Sequence, residues 1–138
     1  MSNRRGIEVT GRVEDVRPYL ADAAAVVVPV RAGAGTRLKI LEAMAMRRPV
    51  VSTSRGAEGL AVTATKNILL GETPEALAGH LSAVLDNPVL GEQLGNAGRR
   101  LVEAAYDWPH CLKGLENLYD RIVNGDVVGD LPVEVAAR

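Results

Sequence analysis

The chain has 138 residues, about the length of one domain, so it can enclose a single hydrophobic core but not two. It is 47% hydrophobic and 24% charged with a mean hydropathy of +0.05, the composition of a globular domain. Sixteen Lys+Arg against seventeen Asp+Glu leave a net charge of −1, which excludes the basic footprint of a nucleic-acid binder.

One cysteine, Cys111, excludes an internal disulfide and a cysteine-based metal site. No apolar run approaches the roughly 18–20 residues of a membrane span. The opening Met1-Ser2-Asn3-Arg4-Arg5-Gly6 is charged but has no apolar stretch behind it, so a cytoplasmic location is expected.

Taken in chain order, residues 7–10 (Ile-Glu-Val-Thr) form a β-prone run closed by Gly11. Residues 15–23 read as a helix with Pro18 in its first turn. Residues 24–30 are continuously apolar and rich in valine, the pattern of a strand buried on both faces. A glycine loop over 31–35 leads into a helix over about 36–46. Pro49-Val50-Val51-Ser52-Thr53 predicts a second buried strand, with proline where no ladder donor is needed. A loop over 54–60 precedes a short strand at 67–70.

The chain then turns helical. Thr73-Pro74-Glu75 is an N-cap, a proline at the first helical position and an acid in the first turn, opening a helix to about 86. Pro88 opens another to about 105, and Asp107-Trp108-Pro109 a third. Residues 125–138 lack periodicity and are expected to be a tail. The prediction is therefore an α/β domain over 7–124: a Rossmann-like parallel sheet flanked by helices, with a helical C-terminal third.

Chemistry concentrates between Val28 and Met46. A buried strand there delivers its end to a glycine loop that opens a helix, whose free N–H groups and dipole favour an anion such as phosphate. Gly33 and Gly35 would let the main chain approach closely, and Thr36 could cap the helix or donate to a phosphate oxygen. Arg37 and Lys39 add positive charge in the first turn, where helix electrostatics alone prefer acids. The plainer reading is that both glycines only serve the turn. G-x-G-x-x-G and G-K-[ST] are both absent, so neither a dinucleotide fingerprint nor a P-loop is present.

On a wheel with Arg37 at zero, the apolar residues of this helix run from about 300° through 0° to 100°, and Glu42 falls near 140°, on their shoulder. A carboxylate there suits hydrogen bonds from ligand hydroxyls, as the acid does for ribose in other nucleotide folds. The alternative is a partly exposed surface glutamate. Its neighbours Arg47 and Arg48 sit five and six positions on, a poor spacing for helical ion pairs.

Pro29, Gly35, Leu41-Glu42-Ala43-Met44-Ala45 and Pro49-Val50-Val51-Ser52 together resemble the C-terminal half of GT-B glycosyltransferases, in the large retaining group of family 4. The likeness extends over about residues 7–123, with Tyr106-Asp107-Trp108 resembling the family's step into its final helix. By this resemblance Gly33, Gly35, Thr36 and Arg37 would hold the donor diphosphate, Glu42 the ribose, and Gly11, Arg12 and Val13 would line the base. Lys39 and Glu58 are further candidates; the loop carrying Glu58 follows a strand at the same sheet edge. The chain departs from the family in one place: the first of two signature glutamates is replaced by Ala34.

The resemblance implies transfer of a sugar, with retention, from a UDP- or GDP-type nucleotide-sugar donor, without a metal or other cofactor. No catalytic residue is assigned. It also implies that the domain is incomplete at its N-terminus and that its partner is a missing acceptor-binding domain. Any peripheral membrane association would run through that half, and this chain alone would not turn over. The competing expectation is a non-catalytic nucleotide-binding or packing module. His80, His110 and Cys111 are expected to take no part in chemistry, Trp108 to be a packing anchor, and Arg99-Arg100 a solvated face.

Overall fold

In the computed structural model, which describes residues 6–33, 35 and 37–124, the elements follow the order α1 (Arg17–Asp22), β1 (Val26–Val28), α2 (Leu38–Ala45), β2 (Val50–Ser52), β3 (Leu69–Leu70), α3 (Pro74–Asp86), α4 (Pro88–Ala105) and α5 (Trp108–Val123). The three strands are parallel in the order β1-β2-β3, with Val26 opposite Val50 and Val51 opposite Leu69. Parallel pairing needs crossover connections; α2 supplies the one between β1 and β2.

Alternate residues of the central strand feed two cores. Val50 packs with Val28, Ile40, Ala43, Met44 and Ile68 on one face. Val51 packs with Leu69, Leu77, Val84 and Leu94 on the other. Both faces of β2 are therefore buried, as its uninterrupted apolar sequence predicts.

The helix starts obey their local signals. Thr73 Oγ1 accepts from the Ala76 amide at 3.2 Å, and Asn87 Oδ1 from the Leu90 amide at 3.1 Å. Asp107 Oδ1 accepts from the Trp108 amide at 2.9 Å. α4 lies close against α2 through glycines. A Cβ on Gly95 would fall on the Arg47 carbonyl oxygen, and one on Gly98 would stand 2.9 Å from Met44 Cγ.

Four expectations need correction. Residues 7–10 form no strand, and Ile7 and Val9 are exposed; the run pairs with no strand among the described residues, and β propensity alone does not hold a short segment in a sheet. β1 is consequently an edge strand among the described residues, and Val27 is 43% exposed rather than buried. Trp108 is 74% exposed and so anchors no core. Arg99 is not simply solvated: it donates to the Ala45 carbonyl at the end of α2 and pairs with Glu103 at 2.7 Å. The expected tail at 125–138 lies outside the described residues.

Candidate functional site

In a parallel sheet all strands deliver their carboxyl ends to one edge, where ligands of open α/β folds collect. Here that edge carries the loops after β1 (residues 29–37), β2 (53–60) and β3 (71–73). Gly33 and Gly35 have φ of 121° and 112°, conformations side chains rarely adopt, so the first loop requires glycine at both positions. Ala34 and Thr36 lie outside the described residues.

Buried hydroxyls tie these loops together. Ser52 Oγ stands 3.0 Å from the Val28 carbonyl oxygen and 3.0 Å from that of Thr53. Thr53 Oγ1 donates to the Val30 carbonyl and accepts from the Gly56 amide at 2.9 Å. A Cβ on Gly56 would meet the Ser52 hydroxyl and stand 2.8 Å from the Val28 carbonyl oxygen, so the second loop can fold over the end of β1 only with glycine. The third loop joins through Glu72, whose Oε1 accepts from the Ser54 amide at 2.9 Å. That hydrogen bond holds the Glu72 carboxyl below its ordinary pKa.

Arg37 takes the N-cap position of α2 without capping it, and the first turn of α2 holds no acid. Among the described residues, no capping side chain or first-turn acid compensates the partial positive charge of this helix start. The Arg37 side chain is only 11% exposed, and one terminal nitrogen lies 3.5 Å from Glu58 Oε2. Its Nε is enclosed and has no hydrogen-bond partner among the described residues. Glu58 in turn takes Arg55 NH1 at 2.8 Å. One carboxylate thus serves two guanidinium groups, and the cluster keeps a net positive charge and an unmet donor.

The structure places Arg37, Glu58 and the glycine loop at one edge of the sheet, together with Arg55, Ser52, Thr53 and Glu72. Arg55 could have been found from its helical spacing to Glu58; the hydroxyl and Glu72 contacts had no local signal. Lys39 is exposed on the first turn. Glu42 is exposed and without a polar partner among the described residues. The buried residues of α2 are Ile40, Ala43 and Met44, so Leu38 and Glu42 share the opposite, open face; Leu38 is 57% exposed, against the wheel. Gly11 and Arg12 are exposed and Val13 half-buried, and no hydrogen bond or ion pair joins them to the three loops among the described residues. His80 bonds the Leu70 carbonyl at 3.0 Å, a structural role; His110 and Cys111 are exposed on α5. Among the described residues, no three His, Cys, Asp or Glu side chains gather to hold a metal, and no helix is long and apolar enough to cross a membrane.

Comparison with known proteins agrees with this architecture. The C-terminal domain of a glycosyl transferase group 1 family protein from Francisella tularensis superposes with a TM-score of 0.65 at 23% identity, over 74% of this chain and 53% of that one. Sucrose-phosphate synthase from Thermosynechococcus elongatus gives 0.68 at 27% identity, over 80% of this chain and 28% of that one. A mannosyltransferase of Corynebacterium glutamicum, named as GDP-mannose-dependent and acting on monoacylated α-(1-6)-phosphatidylinositol monomannoside, is 31% identical over 123 residues. A glycosyltransferase of Methanocaldococcus jannaschii is 28% identical over 125 residues. The matches cover 83% and 88% of this chain but 32% and 35% of those relatives, so the chain spans about a third of their length. The model of the family described as glycosyl transferases group 1 matches residues 2–87. With the small parallel sheet, the flanking helices and the helical C-terminal part of a GT-B C-terminal domain, the chain belongs to the group 1 glycosyl transferases.

Proposed function

We propose that this chain binds the nucleotide-diphosphate sugar of a retaining glycosyl transfer, its donor being of UDP or GDP type. The observation that carries the reading is the Arg37 guanidinium: mostly enclosed at the edge where the glycine loop opens α2, and sharing a single carboxylate with Arg55. An oxyanion beside the guanidinium would neutralise the surplus charge. The diphosphate would lie against Gly33, Gly35, Thr36 and Arg37 at the start of α2. Glu42, on the open face of α2 one turn on, would take the ribose hydroxyls, and residues 11–13 the base.

When the sugar C1–O bond breaks, the electron pair leaves with the diphosphate, and a new bond forms from C1 to an acceptor hydroxyl that loses its proton. The task of this chain in that step is to stabilise the departing diphosphate. Main-chain N–H groups and the Arg37 cation, fixed beforehand by the loop clamps, do so without a metal. The acceptor would be held by a separate domain, so the chain alone is expected to bind without turning over.

Titration of the purified chain with UDP, GDP and their sugars, followed by calorimetry and amide chemical shifts, tests the reading. Binding should perturb Gly33, Gly35 and Arg37. No heat and no shift at millimolar ligand removes it.

A further inference from the structure

At the other end of the sheet, α2 closes in a Schellman turn. The Arg47 amide donates to the Met44 carbonyl at 2.9 Å and the Arg48 amide to the Ala43 carbonyl at 2.9 Å. Arg47, the residue just past the helix cap, lies at φ 56°. That position favours glycine, because a Cβ there crowds the neighbouring carbonyl, and the next position favours an apolar residue. This chain places arginine at both. Their charges suit the negative end of the α2 dipole, but their side chains do not suit these two positions, and residues that break a local rule mark a role elsewhere.

Both residues line a cavity of about 470 Å³ between the α2–β2 turn and the α3–α4 junction. That volume falls within the roughly 300–1,000 Å³ of small-molecule sites. Pro49 and Val84 give it apolar walls; Glu92 and Asn96, from successive turns of α4, give it a carboxylate and an amide. Arg48 donates to the Ala23 carbonyl at 3.3 Å, which orients its guanidinium, while its Nε is enclosed without a partner. Gly95 lets α4 close directly on the Arg47 carbonyl, fixing the turn from beneath. Ala24 and Pro49 precede β1 and β2, so this cavity lies at the amino edge of the sheet, opposite the donor loops.

We propose that this cavity is a second ligand site, taking a small hydroxylated oxyanion such as a polyol or sugar phosphate. Arg47 and Arg48 hold the oxyanion. The Glu92 carboxylate accepts from its hydroxyls, Asn96 does so or donates to them, and Glu92 repels anions that bring no hydroxyl. The strained backbone of Arg47 is the cost of placing that charge.

The test follows amide shifts of the full chain with glucose 6-phosphate and, separately, with inorganic phosphate, at about 10 mM each, where millimolar sites are occupied. Glucose 6-phosphate should shift Ala24, Arg47 and residues 91–96, more weakly in the inorganic arm. Arg47→Gly should raise Tm by about 4 °C by relieving the backbone, yet weaken binding about tenfold. Arg48→Leu, which supplies the apolar residue the turn prefers, should weaken binding similarly without lowering Tm. Absent shifts at these residues, shifts that survive both substitutions, equal binding of inorganic phosphate, or a lower Tm for Arg47→Gly each overturn the proposal.

Discussion

The Glu58 carboxylate stands 3.5 Å from the Arg37 guanidinium, a contact made across 21 positions of sequence. The same carboxylate holds Arg55 at 2.8 Å and is itself half exposed. On the proposed reading, Glu58 sits where an anionic ligand of Arg37 would sit, and would compete with it.

Two substitutions at this pair should move donor binding in opposite directions. Arg37→Gln removes a charge-assisted donor and should weaken UDP or GDP binding by about ten- to a hundredfold. Glu58→Gln removes the competing charge and should strengthen it by about threefold, an exposed pair being worth little. Calorimetry on both variants checks this; a Glu58→Gln variant that binds more weakly would falsify the competition and make Glu58 a direct ligand contact.

Local rules made most of the fold legible. The valines at 26–28 and 50–51, the caps at Thr73 and Asp107 and the proline helix starts all lie within a few residues of the structure they specify. What escaped depends on distant partners. Ile7 and Val9 carry β propensity, but a strand needs a neighbour. Leu38 looks like a core residue on a wheel, yet the sheet meets α2 on the Ile40–Ala43–Met44 side and leaves Leu38 and Glu42 open. In the site, the glycine loop and Arg37 were legible because they break helix-start electrostatics. The Ser52, Thr53 and Glu72 contacts span 18 to 24 positions, and no spacing rule announces them.

Glycines on α4 and α3 should respond oppositely to alanine. At Gly95 the added methyl would strike the Arg47 carbonyl, a main-chain atom that cannot swing away, so α4 must shift at a cost of about 2–4 kcal/mol. At Gly79, inside α3, a Cβ meets nothing within 4 Å, and alanine should stabilise by about 0.5–1 kcal/mol. Denaturant unfolding of the two variants gives the comparison. Equal effects would mean that α2 and α4 do not touch as described.

The acid limb of stability should depend on Glu72. Its carboxyl is held below the ordinary glutamate pKa by the hydrogen bond from the Ser54 amide. A group with a depressed folded pKa stabilises above its unfolded pKa, and that contribution is lost as pH falls through the folded value. Glu72→Gln keeps an acceptor oxygen but cannot titrate. Its stability should fall less than that of the parent chain between about pH 5 and pH 3, near the carboxylate range. Parallel acid-unfolding curves would expose the error if the two fall together.

Ser52 links the stability of the sheet to the shape of the loops at its carboxyl edge. Its hydroxyl is fully buried beside the Val28 and Thr53 carbonyl oxygens, and Gly56 folds over it. Ser52→Ala leaves buried acceptors without that donor and should cost about 1–3 kcal/mol. Ser52→Thr adds a methyl where the Gly56 backbone already crowds the hydroxyl, and should displace the 53–60 loop that carries Arg55 and Glu58. If the loop positions Arg37 through Glu58, Ser52→Thr should alter UDP or GDP affinity more than Ser52→Ala does, even where the two lose equal stability. Affinities that simply track stability would show that the hydroxyl holds the sheet together and has no part in shaping the site.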